Sequence, residues 1–257
     1  TSRLAFEVDG RTAGGSPPLS AVPLDWPVQA SRDNQYGERI ELKRPRFGAG
    51  ANTLASVSAE NQQLDCNTDG RIRLELPNNS TGSALVTTTF EPGRYPADLP
   101  VGHFSSSIGQ ITPFGVSIAT GGKLIFPNCD ALPPNTTATL FAFDGQHKPS
   151  QSELGPWRVA DVATVSANGQ TVETAATAIT QTSYYFVSVA RPLTTLYGRV
   201  VESDGRPVSR AIVQARGQST FTDGFGGFTL RNVPVLAPNG DQTRVEVSFM
   251  RPDATIT

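Results

Sequence analysis

The chain has little of what histidine-, cysteine- or charge-driven chemistry requires. Its 257 residues include two histidines (His103, His147), two cysteines (Cys66, Cys129) and one methionine. The two cysteines lack metal-ligand spacing, and there is no H-E-x-x-H, G-x-S-x-G or phosphate-binding loop. Many carboxylates are present, but none pair recognisably in sequence. Lys and Arg number 21 against 23 Asp and Glu, a net charge of −2, so no strong field exists to draw in nucleic acid or an anionic membrane. The longest apolar run, about 184–190, is far too short to span a bilayer. No window keeps a helical period over three turns. These absences predict a chain that is not an enzyme, with no cofactor, no nucleic-acid partner and no membrane-spanning segment.

What is abundant is punctuation. The chain carries 24 Gly and 20 Pro with only 17% charged residues, the composition of a turn-rich all-β protein. Residues 196–230 show the pattern most clearly. Leu196, Gly198 and Val200 alternate against Arg199, and a turn follows at Asp204-Gly205-Arg206-Pro207. The chain re-enters as Ala211-Ile212-Val213-Gln214-Ala215, turns at Thr222-Asp223-Gly224, and runs into Phe228-Thr229-Leu230. Period-two segments between Asp-Gly turns read as short antiparallel strands.

That order of strands and turns resembles the carboxypeptidase regulatory-like, prealbumin-type β-sandwich module of bacterial surface and secreted proteins. The resemblance covers about 194–257. It implies a non-catalytic appendage in an extracellular or cell-surface setting. Part of the motif echoes upstream: Ala55-Ser56-Val57-Ser58-Ala59, Thr68-Asp69-Gly70, Leu74-Glu75-Leu76, and a strand over 86–90 before Pro92. Residues 1–95 are therefore read as a second sandwich and a diverged internal copy. The middle segment, 96–191, differs. Its Gly115-Val116-Ser117-Ile118, Gly121-Gly122-Lys123-Leu124-Ile125-Phe126-Pro127-Asn128 and Leu132-Pro133-Pro134-Asn135-Thr136 resemble the β-sandwich domain shared by ankyrins and netrin receptors. It is also similar to plug-like modules of large bacterial repeat toxins and adhesins. Asn168-Gly169 predicts a two-residue hairpin with positive φ at both positions, and 184–190 predicts a buried strand. The layout is then three tandem antiparallel β-sandwich modules of immunoglobulin/prealbumin-like type: 1–95, 96–191 and 192–257.

Four groups of residues are candidates for chemistry or binding. Asp65, Asn67 and Asp69, followed by Gly70, form the first half of a calcium loop, with oxygens at alternate positions. The twelfth position is Leu76 rather than a bidentate Glu, so a plain Asp-Gly turn is the competing reading. Cys66 and Cys129 form a disulfide in an oxidising compartment or remain two buried thiols, and both alternatives stand. Trp26, Trp157 and Tyr184 are candidate platforms for a glycan or other ligand, against the alternative that they anchor cores. His103-Phe104-Ser105 resembles the self-cleavage sequence of autoproteolytic nucleoporins and some relatives of the netrin-receptor-type domain. In that chemistry the Ser105 hydroxyl attacks the Phe104 carbonyl while His103 takes the proton. Asn79-Ser80-Thr81 and Asn135-Thr136-Thr137 are glycosylation sequons.

The chain starts at Thr1 without Met and reads as a mature or excised piece of something longer. The expected function is a structural or adhesive segment whose partners are other cell-surface proteins or copies of itself. The alternatives are a glycan-binding module, a self-cleaving domain, and a fibre subunit that donates strand 1–10 to a neighbour's open C-terminal edge.

Overall fold

A computed structural model of the chain describes residues 2–9, 21–28, 72–76, 86–90, 96–112, 114–115, 117–143, 154–235 and 247–250. Among them the secondary structure is all strand, with no helix, and every strand pairing is antiparallel. The first two strands, β1 (Ser2–Asp9) and β2 (Ala21–Val28), form a ribbon paired at all eight positions. Trp26 lies on β2 opposite Leu4, in the Pro-, Gly- and Ser-rich segment 11–34 whose composition predicts a loop.

The largest unit is one eight-stranded sheet. It comprises β3 (Arg73–Glu75), β4 (Val86–Phe90), β5 (Ile108–Thr112), β6 (Lys123–Pro127), β7 (Thr137–Phe143), β8 (Trp157–Val165), β9 (Thr171–Thr174) and β10 (Tyr184–Ser188), in the order β3-β6-β9-β8-β7-β10-β5-β4. A module boundary at residue 95 crosses this sheet. β3 and β4 precede residue 95, yet they hydrogen-bond to β6 and β5, which follow it. Short segments with one apolar face complete a sheet wherever an edge is open, so position in the chain does not mark the border.

The sheet curls until its two ends meet. A Cβ added to Gly109 on β5 would stand 3.2 Å from Cγ2 of Ile72, the residue preceding β3, although the two strands lie near opposite ends of the strand order. A side chain there would require Ile72 to give way by a few tenths of an ångström. Inside the curl lies one core, built from Ile72, Leu74, Ile111, Leu124, Phe126, Leu140, Val165, Val172, Tyr185 and Val187 among others. Strands β7, β8, β10 and β5 also carry a second core on their outer face, with Phe141, Phe143, Trp157, Tyr184, Phe186 and Ile108. Burial on both faces explains why β10 reads as an unbroken run, Tyr-Tyr-Phe-Val-Ser, with every residue buried.

The β8–β9 turn differs from the expected two-residue form. Ser166 and Thr171 still pair, and the four residues between them turn around a Gly169 N–H to Ser166 carbonyl bond of 2.8 Å. Only Gly169 has positive φ (71°). The Asn168 side chain instead accepts from the Ser166 hydroxyl at 2.7 Å and from the Gln170 amide at 3.0 Å. Side-chain capping thus replaces the left-handed geometry at Asn168.

The C-terminal lobe has two small sheets, β11 (Leu193–Arg199) with β14 (Gly227–Pro234), and β13 (Gln218–Phe221), β12 (Ile212–Ala215) and β15 (Ser248–Met250) in the order β13-β12-β15. Both contribute to shared cores: Val213 packs with Phe228 and Val200, and Ala215 packs with Leu230, Val233 and Leu196. The Thr-Asp-Gly turn has a physical role here. The buried Thr222 hydroxyl donates to the Val208 carbonyl at 2.7 Å and accepts from the Ala211 amide at 2.8 Å. Asp223 then accepts from the Phe225 and Gly227 amides, both at 2.8 Å. Its upstream echo at Thr68-Asp69-Gly70 lies outside the described residues.

Candidate functional site

The outer core needs a cover, and the chain supplies one from residues 96–107. This strap contributes Ala97 and Leu99 to the outer core, with Phe104 packed beside them. The Trp157 indole N–H donates to the Asp98 carbonyl at 2.9 Å. The other side of the strap meets the β12–β13 turn of the C-terminal lobe. The Leu99 amide donates to the Gly217 carbonyl at 2.8 Å, and the Gln218 side-chain amide donates to the Leu99 carbonyl at 2.9 Å. The Ser219 hydroxyl donates to both Asp98 carboxylate oxygens, at 2.8 and 3.0 Å. One short segment is therefore clasped by both lobes.

His103, Phe104 and Ser105 sit within the strap. The His103 ring meets Phe141 edge-on at 4.6 Å, and its Nδ1 is buried without a hydrogen-bond partner. Burial lowers the imidazole below its ordinary value, so at neutral pH it is uncharged. The Phe104 amide donates to the Ser188 hydroxyl oxygen at 3.1 Å, and that hydroxyl donates back to the Phe104 carbonyl at 2.8 Å. The fully buried Ser105 donates its hydroxyl to the Ser107 carbonyl at 3.0 Å. Next along, the Ser106 hydroxyl and amide donate to Asp130 at 2.6 and 3.3 Å. Burial pushes the Asp130 carboxyl up, while the Ser106 bonds and the Arg191 charge pull it down.

This arrangement tethers the segment. Self-cleavage requires the Ser105 oxygen to bear on the Phe104 carbonyl carbon and a base to take its proton. Here the Ser105 hydroxyl donates to a backbone carbonyl, and His103 Nδ1 accepts nothing. The described residues with positive φ other than glycine are Ala131, Asn135, Arg210, Arg216 and Asn232, so the His-Phe-Ser backbone carries no left-handed strain.

The remaining candidates divide by placement. Trp157 and Tyr184 are 1% and 0% exposed, with their rings among Phe143, Phe186 and Phe114. That corrects their reading as ligand platforms, because neither shows a ring face to solvent. Asp65, Asn67, Asp69 and Cys66 lie outside the described residues, as does the Trp26 side chain. Cys129 is disulfide-bonded. Among the described residues no group of three His, Cys, Asp or Glu side chains is placed to hold a metal ion. No helix there is long and apolar enough to cross a membrane.

The sequence reading missed the aromatics that do face solvent, Tyr197, Phe225 and Phe249, which are 82%, 79% and 53% exposed. The signal for Tyr197 was present, since it shares the period-two face of Arg199, opposite Leu196, Gly198 and Val200. It also missed Ser188 and Asp130, which carry no local motif and reach the strap from 84 and 24 residues away. Comparison of the chain with protein-family models, curated proteins and solved structures finds no match in any of the three.

Proposed function

We propose that the chain is a non-catalytic structural and adhesive segment of an extracellular or cell-surface protein, whose β-lobes act as a rigid spacer and present loops to partners. The observation that carries this reading is the clasped strap. Asp98 and Leu99 hydrogen-bond to Trp157 on one side and to Gly217, Gln218 and Ser219 on the other. These bonds, with the buried Leu99 side chain between them, hold the junction between the curled sheet and the C-terminal lobe. A junction held in this way transmits force and orientation, as a spacer must. The disulfide at Cys129 supports an oxidising compartment. The carboxypeptidase regulatory-like resemblance of 194–257 points to the same non-catalytic, surface-exposed role.

Small-angle X-ray scattering of the full chain tests the reading. A rigid spacer gives one narrow distribution of inter-lobe distances, unchanged from low to physiological salt. A broad distribution spanning bent and extended forms would refute it.

A further inference from the structure

We propose that the outer face of the β11–β14 ribbon binds a glycan chain bearing carboxylate groups, with Tyr197 as the stacking platform and Arg199 and Arg231 as the carboxylate partners. This deepens the adhesive part of the reading above by naming a surface and a ligand class. Strand alternation defines the face. Leu196, Leu230 and Val233 turn into the lobe's core, while Tyr197 and its cross-strand partner Thr229 turn outward. Arg199 follows two residues along β11 on the same side, roughly 7 Å away, and the exposed Arg231 follows Thr229 on β14 in the opposite direction, where the register shift between Leu230 and Val233 begins. Tyr197 is 82% exposed, and Arg199, Thr229 and Arg231 are exposed with it.

Charge points to the sign of the ligand. The outward positions of the two strands themselves hold two arginines and no Asp or Glu; at the Arg199 end the Asp223 carboxylate sits 2.9 Å from where a Cβ on Gly227 would stand, bonded to the Phe225 and Gly227 amides. Neither arginine forms an ion pair among the described residues. Arg199 Nε is fixed by donation to the Phe225 carbonyl at 2.6 Å, so its guanidinium is held at the rim of the face. A fixed guanidinium fork matches a carboxylate in two parallel hydrogen bonds. An exposed aromatic ring offers the flat apolar surface on which the C–H face of a sugar packs.

The ribbon's edge disfavours a peptide added as a further strand. The register shifts between Thr194 and Leu196, and such a bulge twists an edge away from regular pairing. A chain that lies across the face, instead of along the edge, needs no continuous ladder of backbone bonds.

Isothermal titration of the full 257-residue chain with a polyuronate, alginate, tests the proposal, with neutral amylose and poly-glutamate as comparison probes. The expected result is saturable binding to alginate that weakens as salt rises, with no binding to amylose. Tyr197→Ala should weaken it about tenfold, and Arg199→Gln with Arg231→Gln should remove it. Tyr197→Phe should retain most of it, and circular dichroism checks that each variant keeps the parent's fold. The proposal is overturned by absence of alginate binding, by binding that the folded variants leave unchanged, or by equal affinity for poly-glutamate, which would show attraction to any polyanion. Each of these outcomes leaves the scattering distribution untouched, so failure here is separable from failure of the spacer reading.

Discussion

Replacing Gly217 with alanine is expected to open the clasp between the lobes. Gly217 has a φ of +75°, and a Cβ there would lie 2.5 Å from Cγ and 2.7 Å from Cδ1 of Leu99. The left-handed backbone alone costs about 1–2 kcal/mol for an L-residue. Leu99 is buried and cannot yield into solvent, so the strap or the turn must withdraw. Withdrawal breaks the Leu99–Gly217 and Gln218–Leu99 bonds and strains the Ser219–Asp98 contact. At about 1 kcal/mol each, these bring the total to about 3–5 kcal/mol, a large share of the stability of an ordinary domain. Gly205→Ala is the control. Its φ is +85° but no atom lies within 4 Å of the added Cβ, so only the backbone cost of about 1–2 kcal/mol applies. Urea unfolding followed by tryptophan fluorescence measures both, since Trp157 donates to the strap. A double-mutant cycle with Leu99→Ala sharpens the assignment. Trimming Leu99 removes the two atoms under 3 Å and leaves only its Cβ at 3.0 Å, so the cost of Gly217→Ala should fall towards that of the control in that background. Equal destabilisation by Gly217→Ala and Gly205→Ala in the parent chain would falsify the clasp.

Three further outcomes are expected. The His103 imidazole is lowered by burial, so its contribution to stability is complete above about pH 6.5 and is lost as pH falls through the lowered folded value; Asp130, raised by burial, acts with the opposite sign, full below its ordinary value and lost as pH rises through the raised one. Subtracting the denaturation midpoints of a His103→Leu variant from those of the parent isolates the histidine, and a difference that stays constant from pH 7.5 to 5 refutes this account. Thiol titration under denaturing, non-reducing conditions should find no free thiol, and reduction should cost ~4 kcal/mol if Cys129 pairs with Cys66; two reactive thiols before reduction would remove the disulfide. Electrophoresis of the denatured parent and of Ser105→Ala should give the same single band, since the Ser105 hydroxyl donates to the Ser107 carbonyl; fragments in the parent alone would establish self-cleavage at Phe104-Ser105.

Donation of 1–10 to a neighbouring molecule meets a competitor within the chain. Ser2–Asp9 is paired with Ala21–Val28 at every position, so one of its edges is already occupied. The segment 11–34, rich in Pro, Gly and Ser, reads as loop because proline cannot donate to a ladder. Yet Pro23 and Pro27 sit within β2, where the two-stranded ribbon requires pairing on one side only.

The sequence by itself determined the all-β class, because period-two alternation and Asp-Gly turns are local properties that no distant contact needs to supply. It determined three of the C-terminal strands to within a few residues, and the buried run over 184–188, for the same reason. Only the tertiary structure decided which strands share a sheet. β3 and β4 lie upstream of the strap, yet join the curled sheet beyond it, since an open edge selects partners by backbone bonding and apolar fit and not by chain order. It also decided which aromatics face solvent. Local spacing around Trp157, Tyr184 and Tyr197 cannot separate a covered sheet face from an open one, and here the covering element is a strap with no strand pattern of its own. Tyr184 is buried because residues 96–107 cross the outer face of its sheet, whereas Tyr197 is exposed because nothing among the described residues crosses the β11–β14 ribbon.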